Sequence, residues 1–74
     1  MYRRIKELRE DRDLLQKQIA IALNITRQQY GLYENGNREI PIEKIKRLAE
    51  FYNTSIDYIV ELTNEQKPYP RNKK

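Results

Sequence analysis

The sequence contains no cysteine, no histidine and no tryptophan, and only two glycines and one phenylalanine. Without cysteine there is no disulfide framework and no thiolate metal site. Without histidine the usual general base and the commonest metal ligand are missing. Two isolated glycines make no phosphate-cradling loop, and no carboxylates are set out as an acid–base couple. An enzyme is therefore not expected, nor is a cofactor or a catalytic residue. No apolar run reaches the length that spans a bilayer. The opening stretch MYRRIKELRED has none of the apolar core of a leader peptide. The expectation is a cytoplasmic protein that does not meet a membrane.

What is present is charge and helical periodicity. The formal net charge is +4. The final segment holds Lys67, Arg71, Lys73 and Lys74 with no acid, so the rest of the chain balances at eleven bases and eleven acids. The basic pI thus belongs to the tail. Within the balanced part, Gln16 to Arg38 carries Lys17, Arg27 and Arg38 against Glu34. Glu43 to Glu65 carries five acids against three bases. The body is polarised, mildly positive towards its N-terminal half. The same counts also fit ordinary solvated charge on helix surfaces.

Seventy-four residues make one domain with a small core, to which dimerisation would add stability. The apolar spacing is helical nearly throughout. Tyr2, Ile5 and Leu8 mark a first helix over about 2–12, with Arg3 and Glu7 at supporting i,i+4 spacing. A second helix covers 15–23, with Ile19, Ala20 and Leu23 inward. Asn24 suits a left-handed stop, Ile25 plugs the turn, and Thr26 is a good N-cap for a third helix that ends near Asn35 and Gly36. Loop 37–41 leads to a fourth helix over 42–52, with Ile45, Leu48, Ala49 and Tyr52 inward. Asn53 ends it. Thr54 or Ser55 caps a fifth helix to about Leu62, with Asp57 in its first turn and Ile56, Ile59 and Val60 inward. The predicted fold is an all-α, compact five-helix bundle over 1–63, followed by a basic tail, 64–74, that is extended or disordered. Asn24-Ile25-Thr26 and Asn53-Thr54-Ser55 match the glycosylation pattern but read better as a helix stop followed by a cap.

Helices two and three carry the informative pattern. A helix that reads DNA needs one face anchored to its own domain and another free to make hydrogen bonds. In helix three, Tyr30 and Tyr33 anchor, while Arg27, Gln28 and Leu32 fall on the other side. Arginine pairs with guanine O6/N7, glutamine with adenine N6/N7, and leucine meets a thymine methyl. Gln29 lies between the faces, able to reach a base or a phosphate. From spacing alone, three polar residues that merely begin an exposed helix account for the pattern equally well.

The wider motif breaks that tie. Leu8-Arg9, Gln16, Ile19-Ala20, Leu23-Asn24-Ile25-Thr26, Tyr33-Glu34-Asn35-Gly36 and Pro41 stand in register with a known pattern, and IEKIKRLAEFYNTSIDYI continues it. This arrangement strongly resembles the Cro/repressor-type helix-turn-helix regulators, also called the xenobiotic-response-element family, over about residues 2–62. The resemblance implies a lambda-repressor-like DNA-binding domain. It implies base reading by Gln16, Arg27, Gln28 and Leu32. Lys17, Asn35 and Arg38, with Gln29 in a mixed role, are implied to meet the DNA backbone. Gln16 alternatively only caps its helix, and Lys17 and Arg38 alternatively are free surface charges. The resemblance further implies that Arg9 and Glu34 form a partly buried pair joining helix one to the end of helix three, so that Glu34→Ala destabilises more than Arg27→Ala.

The sequence departs from the family pattern at three places. Asn24 replaces the usual glycine and is tolerable there. Gly31 replaces a usual serine inside helix three, either to allow close approach to DNA or by drift. Leu32 is unusual at a base-reading position and leaves open whether that face meets DNA or protein. The function implied is sequence-specific regulation of transcription, repression above all, by a homodimer on double-stranded DNA whose recognition helices lie ~34 Å apart. The alternative is an antitoxin-type regulator holding a protein partner through helix five or the tail. Tyr58, Ile59 and Leu62 are the first candidates for a dimer surface.

Overall fold

Five helices ring a single apolar core in the computed structural model, which describes residues 2–68. They are α1 (Arg3–Asp11), α2 (Gln16–Leu23), α3 (Arg27–Glu34), α4 (Ile42–Phe51) and α5 (Ile56–Ile59). Packing closes the ring: α1 touches α3 and α5, α2 touches α3 and α4, and α4 touches α5. Each helix is too short to be stable alone. Ile5, Leu8, Ile19, Leu23, Tyr30, Leu48 and Ile59 are each at most 2% exposed and hold the ring together. Burial of each such aliphatic side chain is worth about 1.5–3 kcal/mol. Tyr2, Leu14, Ile25, Ile56, Tyr58 and Val60 seal the edges.

All five helices stop in the same way. One residue turns left-handed after each: Asp13, Asn24, Gly36, Asn53 and Glu61, with φ between 54° and 77°. The next amide then reaches back to a carbonyl of the last turn, at 3.1, 3.0, 3.0, 2.8 and 2.8 Å for Leu14, Ile25, Asn37, Thr54 and Leu62. This is the six-to-one closure of a Schellman motif. It keeps the connections short, and the apolar residues after the stops of α1 and α2, Leu14 and Ile25, fold back onto the core. Helix starts are more varied. Thr26 Oγ1 accepts from Gln29 N at 3.0 Å, and Ser55 Oγ accepts from Tyr58 N at 3.0 Å. The Gln18 side chain accepts from Leu15 N at 2.7 Å, which caps α2 from inside its first turn.

Three sequence expectations are corrected. The fifth helix ends at Ile59, not near Leu62, because Glu61 takes the left-handed conformation at φ 68°. Ile59, considered for a dimer surface, is fully buried and closed to one, whereas Tyr58 is half-buried beneath Arg4 and Leu62 is 76% exposed. Arg3 pairs not with Glu7 but with Glu61, at 3.3 Å.

The segment after α5 has no helix or strand among the described residues, yet it is fastened. Arg4 Nη1 donates to the carbonyls of Tyr58 at 2.8 Å and Thr63 at 2.6 Å, and Nη2 donates to Asn64 Oδ1 at 2.7 Å. Thr54 Oγ1 donates to the Gln66 carbonyl at 2.5 Å. Of the tail charges, Lys67 is exposed, while Arg71, Lys73 and Lys74 lie outside the described residues. No helix among the described residues is long and apolar enough to cross a membrane.

Candidate nucleic-acid interface

The first turn of α3 follows the Thr26 cap, so Arg27 and Gln28 leave the domain before the helix meets the core. Both are exposed. One turn on, Tyr30 is fully buried and Tyr33 is 6% exposed, which fixes the opposite face of the helix. Leu32 is half-buried, and its carbonyl accepts from Asn37 and Arg38 N–H at 3.0 and 3.2 Å. Gln29 is half-buried and donates to Tyr33 Oη at 3.4 Å. Asn35, the C-cap, and Arg38 in the following loop are exposed, as is Lys17 at the start of α2.

Gln16 lies where α2 meets α3. Its Nε2 donates to Glu34 Oε1 at 3.1 Å, and its Oε1 faces Gly31, where an added Cβ would lie 3.8 Å away. Gln16 thus shares a crevice with the middle of α3. The Glu34 carboxylate that holds Gln16 is itself held by Arg9. Nε donates to Oε2 at 2.6 Å, Nη2 donates to Oε1 at 3.2 Å, and the spare Nη1 donates to the Leu14 carbonyl at 2.9 Å. The side chains are 13% and 2% exposed. Burial alone would raise the Glu34 pKa. The hydrogen bonds from Arg9 and Gln16, with the Tyr30 hydroxyl nearby, outweigh it and leave the carboxylate below its usual value. The same pairing, against burial, raises Arg9.

Two phenols close the underside of this cluster. The Tyr30 and Tyr52 hydroxyls are buried without a hydrogen bond of regular geometry. Tyr30 Oη is close enough to Glu34 for its ionisation to be opposed by that charge as well as by burial, which pushes its pKa up. Burial pushes Tyr52 up to about 12.

Three cations that tie distant parts of the chain together have no signal in local spacing. Lys44 Nζ donates to the Leu23 carbonyl at 2.9 Å, and Arg47 Nε donates to the Ala22 carbonyl at 3.3 Å, both from α4 onto the end of α2. Arg4 clamps the chain after α5 and stacks on Tyr58 with 4.1 Å between guanidinium carbon and ring centre. Their partners are backbone carbonyls 21, 25 and more than 50 residues away, which side-chain patterns do not report.

Comparison with known proteins agrees with this geometry. The helix-turn-helix family matches residues 5–59. The HTH-type transcriptional regulator YobD of Bacillus subtilis is 35% identical over 65 residues, 88% of this chain and 58% of that protein. The cryptic phage CTXphi transcriptional repressor RstR of Vibrio cholerae is 33% identical over 57 residues, 77% of this chain and 51% of its own length. The SPbeta prophage-derived regulator YonR of Bacillus subtilis is 33% identical over 63 residues, 85% and 58% respectively. The chain spans a little over half the length of these relatives. No solved structure gives a significant match. With Gln16 set against the middle and end of α3, and Arg9–Glu34 tying that end to α1, the chain belongs to the Cro/repressor-type helix-turn-helix family.

Proposed function

We propose that this protein is a cytoplasmic transcriptional regulator, a repressor, that lays α3 in the major groove of double-stranded DNA as a homodimer. The observation that carries this reading is the exposure of Arg27 and Gln28 on a helix whose other face is pinned by the fully buried Tyr30. A rigid helix with free planar hydrogen-bonding groups in its first turn is what direct readout of base edges needs. Arg27 reads guanine and Gln28 reads adenine. Gln16 keeps its Oε1 free, because Glu34 occupies only its nitrogen. Leu32 lies further along and meets a thymine methyl. Lys17, Arg38, Asn35 and Gln29 serve the phosphates and the orientation of the helix. A repressor among the relatives supports repression over activation.

Selection of duplexes from random DNA by the purified protein tests the reading. The expected outcome is a two-fold symmetric site with half-sites about one helical turn apart and a complex whose mass contains two chains. Arg27→Ala or Gln28→Ala relaxes the sequence preference. Lys17→Ala or Arg38→Ala weakens binding to every duplex and flattens the salt dependence by about one unit each. Recovery of no preferred sequence overturns the proposal.

A further inference from the structure

We infer that Lys44, backed by Arg47, is a positioning residue that sets how α3 is presented to DNA and is not itself a phosphate contact; the inference rests on the DNA-binding reading above. The argument starts from the end of α2. A helix leaves its last four carbonyls without intrahelical partners. In α2 these belong to Ala20, Ile21, Ala22 and Leu23. The turn itself satisfies the first two: Ile25 N donates to Ala20 O at 3.0 Å, and Asn24 N donates to Ile21 O at 3.1 Å. The other two are taken by α4, Ala22 O by Arg47 at 3.3 Å and Leu23 O by Lys44 at 2.9 Å.

A cation at a helix C-terminus is favoured by the helix dipole as well as by the hydrogen bond. Lys44 is half-buried, and its ammonium is committed to the residue just before the left-handed Asn24. Only Asn24, Ile25 and Thr26 separate that carbonyl from the first residue of α3. Meanwhile α4 is anchored in the core by Ile45, Leu48 and Ala49. The bond therefore ties the turn of the helix-turn-helix to a fixed part of the body. A basic residue in a DNA-binding domain is ordinarily assigned to the phosphates, and the two roles differ in how salt acts on them. A phosphate contact releases a counterion, so its loss flattens the salt slope by about 0.9 and weakens all sequences alike. A positioning residue alters geometry, so its loss weakens the preferred sequence and leaves the slope intact.

The experiment compares wild type, Lys44→Met, Lys44→Arg, Arg47→Met and, as a phosphate-contact control, Lys17→Met. Fluorescence anisotropy follows binding to a duplex selected by the wild type and to the same bases scrambled, across a salt series, below the melting temperature of every variant. For Lys44→Met we expect about tenfold weaker binding to the selected duplex, the scale of one charge-assisted hydrogen bond lost. Binding to scrambled DNA and the salt slope stay unchanged. Lys44→Arg restores most of the loss, and Arg47→Met repeats the pattern more weakly. A flattened slope with equal loss on both duplexes overturns the inference, as does no change on either.

Amide spectra of the free proteins supply a second readout. Signals from Asn24 to Gln29 shift in Lys44→Met and not in Lys17→Met. Unmoved signals overturn the inference. If the wild type selects no DNA, the proposed function fails, and the amide shifts alone still report whether Lys44 holds the turn. If Lys44→Met does not fold, Arg47→Met and Lys44→Arg decide by the same criteria.

Discussion

Arg4 and Arg9 lie five residues apart on α1, on either side of the buried Ile5–Leu8 stripe, and each fastens a distant part of the chain. Arg9 holds the end of α3 through a carboxylate that is 2% exposed. Arg4 holds the chain after α5 through two backbone carbonyls and an amide oxygen, partly open to solvent. Both clamps have comparable short distances, so contact geometry does not separate them. What separates them is the state left behind when the arginine goes. Neutral carbonyls at the surface are rehydrated, whereas a buried carboxylate keeps its charge problem. The Arg9 side is also the side on which Gln16 and α3 lie, so the proposed interface is braced by the more demanding of the two clamps.

The comparison breaks or holds on four substitutions measured by chemical denaturation at neutral pH. Arg9→Ala strands Glu34 and costs about 3 kcal/mol or more. Arg4→Ala loses charge-assisted bonds to neutral groups and the stacking on Tyr58, about 1–3 kcal/mol. Arg27→Ala, on an exposed side chain, stays within about 0.5 kcal/mol. Glu34→Ala falls between the first and last, because Arg9 keeps the Leu14 carbonyl and more solvent. An Arg4→Ala variant less stable than Arg9→Ala would refute the distinction.

This contrast also marks what a sequence can and cannot disclose. The Arg9–Glu34 pair was legible because two oppositely charged side chains stand at fixed places in a family pattern. Arg4, Lys44 and Arg47 were not, because backbone carbonyls occur at every residue and give a cation no partner to be matched with. The helix stops divide in the same way. Asn24, Gly36 and Asn53 are residue types that tolerate a left-handed backbone, so the sequence marks them as stops. Glu61 is not such a type, so the apolar pattern runs on past the end of α5. Core positions followed the helical period closely. The exposure of Arg27 and Gln28 was equally foreseeable, since the anchoring tyrosines fix the opposite face. The crevice between Gln16 and Gly31 was not, because it depends on how α2 crosses α3.

Acid sharpens the comparison next. Glu34 has a folded pKa below its unfolded value of about 4.3. Its contribution is therefore fully present above the unfolded pKa and is lost as pH falls through the folded pKa. The cost of Arg9→Ala should shrink as pH is lowered from 6 towards about 3, since protonation rescues the stranded carboxylate. The cost of Arg4→Ala should hardly change over that range, because the oxygens it bonds are neutral. Parallel pH profiles for the two variants would show that Glu34's charge is not what makes the Arg9 clamp the stronger one.

A smaller gain is expected between α2 and α3. Gly31 is helical, and a Cβ there would meet only Gln16 Oε1 at an ordinary 3.8 Å. Gly31→Ala should therefore raise stability by about 1 kcal/mol through helix propensity and a less entropic unfolded chain. An unchanged affinity for the selected duplex would mark the glycine as drift. A loss despite the stability gain would mark it as room for close approach to DNA. A fall in melting temperature would show the crevice to be tighter than its geometry.

The smallest effect concerns the orphan phenol beneath the Arg9 clamp. Tyr52 is 3% exposed, its hydroxyl has no hydrogen-bond partner, and its ring packs edge-on to Phe51 at 5.0 Å and beneath the Arg12 guanidinium at 5.1 Å. Tyr52→Phe keeps the ring contacts and removes a buried polar atom, so at neutral pH it should be neutral or stabilise by up to about 1 kcal/mol. Alkali separates the variants further. The folded phenol ionises only near pH 12, above its unfolded value of about 10. Its neutral form thus favours the fold fully below pH 10, and that contribution disappears as pH rises through 12. Tyr52→Phe should lose less stability than wild type between pH 10 and 12, with Tyr30 supplying the decline that remains. Identical alkaline profiles would place the sensitive group elsewhere. A large loss at neutral pH would mean that the hydroxyl does have a partner, most simply a buried water bridging it to the Glu34 cluster.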